Sequence, residues 1–284
     1  MPKHKRNYKD SVFVDLFGED KNAKANLLSL YNALHGTNLD MNTELKPLRL
    51  EQVMYMNFCN DVSCLVDNKI IVLAEHQSTV NENMPLRFLE YAARLYEQIQ
   101  NPRERYLRRL KKIPTPEFYV FYNGKEKFPL TKTLKLSDAF IVNTPKPSLD
   151  LIVNIININN NKKHKILSQC KTLKEYSLFV EIVQKNIEID KENGFKNAIK
   201  ECMQNNILKE YLQRKSREVM NMLMAEYDYD TDIAVQRAEE REIAFAEGIE
   251  QNKLQTAKLM KQAKCETDLI VQITGLNLKE IERL

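Results

Sequence analysis

One stretch constrains the chain more than any other: Asn60 to Thr79, NDVSCLVDNKIIVLAEHQST. Val62, Cys64 and Val66 alternate with Asp61, Ser63 and Leu65, the period-two pattern of a half-buried strand. Lys69 to Ala74 carries a continuous run rich in β-branched residues, which suits a strand buried on both faces. Asp67 and Asn68 between them are turn residues, so the stretch reads as a hairpin. Its register decides which polar residues meet. A two-residue loop sets Asp61 against Ala74 and turns Glu75 away. A three-residue loop ending at Lys69 sets Asp61 against Glu75, with Cys64 facing Val72 and Val62 facing Ala74. The second arrangement sorts both faces and is a common hairpin, so it is the expected one.

In that register two carboxylates oppose each other at the open end of the hairpin, with Gln77 on the face of Glu75. Opposed like charges repel. A hard divalent cation such as Mg²⁺ relieves the repulsion, and it can also polarise a phosphodiester and acidify water. The bland alternative is a pair of solvated strand ends.

Asp61, followed by a hydrophobic strand ending Glu75-His76-Gln77, resembles the Asp…Glu-x-Lys core of PD-(D/E)xK nucleases, in the variant with Gln in the Lys position. The wider text is similar to the Rpn family of recombination-promoting nucleases, also described as putative transposases. It includes KDSVFVDLFGE, EHQSTVNENMPLRFLEYAARLYE, FYVFYNG and the terminal ITGLNLKEIERL. The resemblance implies a metal-dependent DNA endonuclease. Its catalytic residues are Asp61, Glu75 and Gln77, its metal ligands Asp61 and Glu75, and its ion Mg²⁺, Mn²⁺ or Ca²⁺. Gln77 departs from the broader pattern, because an amide supplies no positive charge. The implied fold is α/β, a restriction-endonuclease-like core of helix, three-strand β-meander, helix and further strands, followed by a helical C-terminal region. The expected division is a core over 1–160 and a helical accessory region over 161–284.

Composition excludes several other classes. Gly is scarce, and neither a phosphate-loop nor a dinucleotide-binding pattern occurs. The five cysteines show no paired metal spacing and no disulfide framework, which argues against zinc. No apolar run approaches a membrane span. The basic start MPKHKRNYKDS lacks an apolar signal region, so a cytoplasmic protein is expected. A net charge of +4 permits nucleic-acid binding without requiring it.

Along the chain, Asp10 to Leu34 reads as one or two helices stopped at His35-Gly36. Glu19, between the halves, is either a further acid for the metal or a solvated helix-end charge. A first strand is expected around Leu48 to Met56. Pro85 suits the first turn of a helix to Gln100, with Leu86, Leu89, Ala93 and Tyr96 as its apolar stripe. Arg87 and Tyr91 share a face at i and i+4: Arg87 suits a phosphate, and Tyr91 suits packing. Pro102 to Lys112, PRERYLRRLKK, is the densest basic run. With Arg105, Arg108 and Arg109 it reads either as a phosphate track on DNA or as a solvated helix face. Glu117 to Tyr122 and Leu149 to Ile158 supply further strands, with a loop-rich stretch between.

Beyond Lys165 the text is helical. EYDYDTD, Glu226 to Asp232, reads as an acidic joint before a long helix. Ala234, Ala238, Phe245 and Ile249 form a thin stripe on that helix, suited to a partner or a homo-oligomer contact. The tail reads as a small helical cap around Gly275. Three functions follow: endonuclease, a catalytically weak or inactive DNA-binding or assembly protein, and strand transfer, which these residues do not distinguish from hydrolysis.

Overall fold

The computed structural model describes residues 12–48, 61–76, 81–142 and 144–282. Residues up to Met224 form one compact unit, and Ala225–Leu284 form a second.

The first unit is an α/β structure, as the restriction-endonuclease-like expectation requires. It opens with a short helix α1 (Val12–Val14) that continues as a π-helical turn, Asp15–Glu19. Helix α2 (Ala23–His35) follows and ends at Gly36, whose φ of 65° is the left-handed stop expected there. Strand β1 (Leu45–Leu48) then pairs antiparallel with β2 (Asp61–Val66), and β2 with β3 (Lys69–His76). The rest of the expected first strand, from 49 onward, lies outside the described residues. Helix α3 (Met84–Ile99), with Pro85 in its first turn, crosses back to β4 (Thr115–Tyr122). That strand runs parallel to β3, as a helical crossover demands. Strands β5 (Thr131–Lys135) and β6 (Ile152–Asn157) complete a mixed sheet of order β1-β2-β3-β4-β6-β5.

The hairpin register corrects the sequence expectation. Val66 faces Lys69, Cys64 faces Ile71 and Asp61 faces Ala74, so the loop holds two residues. Asp67 and Asn68 both take positive φ, 48° and 58°. That is the type I′ turn, whose twist matches the flanking strands and which Asp and Asn tolerate best among non-Gly residues. The three-residue loop, with its direct Asp61–Glu75 pairing, is not formed.

Apolar residues cover both sheet faces. On one face Val62, Cys64, Val66, Phe121 and Ile156 pack with α1, α2, α5 (Lys171–Ile189), α6 (Gly194–Gln204) and the start of α7 (Lys209–Gln262). A short helix α4 (Lys165–Gln169) adds Ile166 and Leu167 to the same cluster. On the other face Ile70, Phe118, Val120, Tyr122, Val153 and Ile155 meet α3. Here the buried stripe of α3 is Met84, Phe88, Tyr91, Ala92 and Leu95. The expected stripe holds in part: Leu89 and Tyr96 are partly buried against this core, but Leu86 and Ala93 are exposed. Both stripes keep helical spacing, and the bulkier one buries more apolar surface.

Two further corrections concern the later chain. The loop-rich stretch holds β5, an edge strand of alternating TKTLK whose lysines protect the edge. The acidic text Glu226 to Asp232 is itself helical, inside α7 and just past the division between the two units, and the non-helical residue in that helix is Lys215 (φ −125°, ψ 22°). In the second unit Ala257, Ile270, Leu276 and Ile281 form a small core from the end of α7, α8 (Thr267–Thr274) and α9 (Leu278–Glu282). Gly275, with φ of 70°, turns the chain between the last two helices as expected.

Candidate active site

The carboxyl ends of parallel strands are where open α/β sheets bind ligands. In this sheet β3, β4 and β6 run parallel, so that end carries Glu75, His76, Tyr122 and Asn157. Glu75 is in register with Phe121 of β4. Asp61 opens β2 at the same end, one step off Glu75 because its partner is Ala74. Strand spacing and rise put the two α-carbons roughly 6 Å apart. The side chains of Asp61, Glu75 and His76 lie outside the described residues, as does Gln77 altogether.

The supporting residues are well defined. Ser63, two positions along β2 from Asp61, is buried and donates from Oγ to the Leu48 carbonyl at 2.6 Å. The same hydroxyl meets the Tyr91 hydroxyl at 3.0 Å. Tyr91 is thus a packing residue that fastens α3 to β2. One turn earlier, Arg87 is half-buried, with Nη1 donating to the Met84 sulfur at 3.4 Å.

A pocket of about 280 Å³ opens beside β1 and the start of β2, lined by Gly18, Glu19, Lys24, Pro47, Val62 and Ser63. Its rim includes the π-helical turn, an irregularity found often at functional sites. Glu19 is exposed there, at the same end of β2 as Asp61. Behind the turn is a polar network that sequence reading does not detect. Asp15, 4% exposed, accepts from Tyr211 at 2.7 Å and from Lys215 Nζ at 2.8 and 2.9 Å. Asp20 accepts two hydrogen bonds from Arg214, at 3.0 and 3.1 Å. Burial raises the Asp20 carboxyl, but the Arg214 hydrogen bonds, the Asn22 N–H and the charges of Arg214 and Lys215 together outweigh it and hold it below the ordinary value of 3.8. The only signals in the sequence are charges about two hundred positions apart, which carry no spacing rule.

The basic run lies elsewhere. Residues Pro102–Tyr106 form one 3₁₀ turn, and the chain to 114 has no regular structure, so the expected basic helix is absent. The segment leads into Thr115, whose N–H donates to the Asn68 carbonyl at 3.1 Å. It therefore ends at the tight turn between β2 and β3, six residues of β3 away from Glu75, or about 20 Å. Arg108 and Arg109 are exposed, and the Arg105 side chain lies outside the described residues. So the sheet sets Asp61 and Glu75 at one end, at positions on opposite faces because Asp61 pairs with Ala74, and puts the basic run at the other.

A second cluster missed from sequence sits at that other end. Glu117 meets His35 at 2.6 Å, Lys69 at 2.7 Å and the Tyr119 hydroxyl at 3.1 Å. Burial raises the Glu117 carboxyl, but bonds from Lys69 and His35 prevail and keep it below 4.5. Tyr31, stacked on His35 at 4.1 Å, donates to Asp67 at 3.3 Å, and burial with the Asp67 charge pushes its hydroxyl up to about 12. The strand aromatics Phe118, Phe121 and Tyr122 are fully packed, which leaves none of the three for base stacking.

Among known families, the one described as "Putative transposase, YhgA-like" matches residues 66–232. The matched segment contains Glu75, Gln77, Arg87 and the basic run; it begins at the last residue of β2 and so leaves out Asp61. No curated protein and no solved structure matches the chain. Among the described residues no helix is long and apolar enough to cross a membrane.

Proposed function

The chain belongs to the YhgA-like putative transposase family, within the Rpn/PD-(D/E)xK-like group, and on that premise we propose that it is a metal-dependent DNA endonuclease. The observation that carries the reading is the pair of acid-bearing strand ends, Asp61 on β2 and Glu75 on β3, side by side at the carboxyl end of the parallel strands. Their α-carbons stand roughly 6 Å apart, but the one-residue offset sets the two positions on opposite sheet faces. One ion held by both therefore requires the side chains to turn toward each other past the strand ends. An all-oxygen donor set suits Mg²⁺, Mn²⁺ or Ca²⁺. Bound there, such an ion supplies Lewis-acid charge against the phosphodiester and acidifies water. Gln77, two residues beyond Glu75, orients water or a phosphate oxygen by hydrogen bonding. Arg87, one turn before the Tyr91 anchor, holds a flanking phosphate, for which a planar guanidinium is well shaped. Arg105, Arg108 and Arg109 add salt-dependent grip on the DNA backbone. The setting is the cytoplasm, in recombination or mobile-element processing, and exposed Phe245 and Ile249 on α7 suit self-association.

A second reading is a DNA-binding or assembly protein with little or no catalysis. The two-residue hairpin favours it, because Asp61 and Glu75 are offset by one position, and so does the amide of Gln77. Plasmid nicking by wild type and Glu75→Ala across Mg²⁺, Mn²⁺ and Ca²⁺ separates the two. Metal-dependent nicking by wild type alone is the expected result. Salt-sensitive DNA binding by both proteins, with no nicking by either, overturns the endonuclease in favour of the silent binder. Equal nicking by both removes Glu75 from the site.

A further inference from the structure

Residues 102–113 expose apolar surface that no core claims: Tyr106 is 87% and Leu110 is 90% exposed, with Leu107 and Ile113 half exposed. Six cations and one carboxylate share the same twelve residues. The segment is not a loose loop. Asn101 Oδ1 accepts from the Arg103 N–H at 3.0 Å, and the Tyr96 hydroxyl donates to the Pro114 carbonyl at 2.7 Å. Between these anchors the Lys111–Glu104 ion pair, at 3.0 Å, closes the segment on itself and neutralises its one acid.

A pinned, cationic segment carrying an outward aromatic ring fits a polyanion that also offers flat apolar faces. Nucleic acid is such a partner. A duplex is the poorer fit, because a single 3₁₀ turn and an irregular strand do not fill a major groove as a helix does. The faces of stacked bases are also closed to Tyr106. Unpaired bases open those faces, and stacking on an aromatic ring is tolerant of sequence.

We propose that residues 102–113 form an exosite for single-stranded or locally unstacked DNA, in which Tyr106 stacks on a base while Arg108 and Arg109 hold the adjoining phosphates. This rests on the reading of the chain as a DNA-acting protein and adds a second contact to it. The exosite stands about 20 Å along β3 from Glu75, so it grips DNA away from the bond to be cut. At 3.4 Å per base, that span is about six nucleotides of stacked strand.

The test is equilibrium binding of labelled single strands, duplex and a bubble-containing duplex, with divalent ions chelated so that nothing is cut. Wild type, Tyr106→Ala, Tyr106→Phe and the double variant Arg108→Ala/Arg109→Ala are compared over a salt series. Anionic phospholipid vesicles provide a separate arm. Tyr106→Ala is expected to weaken single-strand and bubble binding roughly 5- to 150-fold, the worth of one stacked base. Its duplex affinity and salt slope stay unchanged, and Tyr106→Phe behaves as wild type. The arginine pair lowers the single-strand salt slope by about 1.4. Equal loss on duplex and single strand in Tyr106→Ala, no loss on either, or vesicle binding stronger than DNA binding overturns the exosite. Wild-type protein that binds no DNA of any form refutes the DNA-acting reading itself.

Discussion

Lys215→Met tests what holds the start of α7 against the π-helical turn. The substitution keeps most of the side chain's length and removes its charge. In the native chain the ammonium lies 2.8 and 2.9 Å from the two oxygens of Asp15 and 3.7 Å from Asp20. Without it, Asp15 keeps only the Tyr211 hydroxyl among these donors, at a position 4% exposed. Stranding one member of a buried pair costs about 3–5 kcal/mol. The remaining Tyr211 bond and the partial exposure of Lys215 put the cost near the lower figure, about 3 kcal/mol. For a unit of this size each kcal/mol moves Tm by about 2–4 °C, so a fall of about 6–12 °C is expected by calorimetry at neutral pH. The double variant Asp15→Asn/Lys215→Met should recover part of the loss, since no charge is then left unpaired. A Tm within about 1 °C of wild type for Lys215→Met would falsify this account of the network. So would strict additivity in the double variant.

Two other outcomes follow from the same geometry. Asp20 and Glu117 both have depressed carboxyl values in the folded chain, below 3.8 and 4.5 respectively. Their contribution is therefore complete above those values and is lost as pH falls through the folded ones. Tm should stay level above about pH 5 and drop below it, and Glu117→Gln should flatten part of that acid limb; an unchanged limb would exclude Glu117 as a contributor. At Gly194 a β-carbon would stand 2.8 Å from the Ile187 α-carbon and 2.9 Å from the Asn186 carbonyl, where α5 and α6 meet. Gly194→Ala should destabilise by about 1–3 kcal/mol despite its better helix propensity, and a rise in Tm would contradict that contact.

The fold was legible where one pattern admitted one structure. Gly36 and Gly275 marked helix ends, Pro85 a helix start, and the apolar text of β4 a buried strand. It was ambiguous where the pattern admitted two. Ile70 to Ala74 is apolar on both faces, so face sorting separates the two registers only weakly, and the backbone of Asp67 and Asn68 selects between them. Helix α3 carries two apolar lines at the same period, and the choice between them depends on a sheet made partly of later chain. That Asp61 and Glu75 stand at the same end of the sheet could be counted in sequence, but their facing could not, because the loop length sets it. The separation of the basic run from them could not be counted, because it arises from the direction in which α3 returns the chain. Long-range pairs such as Asp15–Lys215 leave no local trace.

That last pair also sets an order of events during synthesis. Phe13, Phe17 and Asp15 leave the ribosome early, yet their partners Tyr211, Leu212 and Lys215 are added about two hundred residues later. At 5–20 residues per second the wait is roughly 10–40 s. During that time one face of the growing sheet has no helix from α7 to cover it, and the carboxylates of Asp15 and Asp20 have neither cation. A nascent chain stopped before Lys209 therefore presents an uncovered apolar and acidic surface, a form for chaperones to hold and proteases to find.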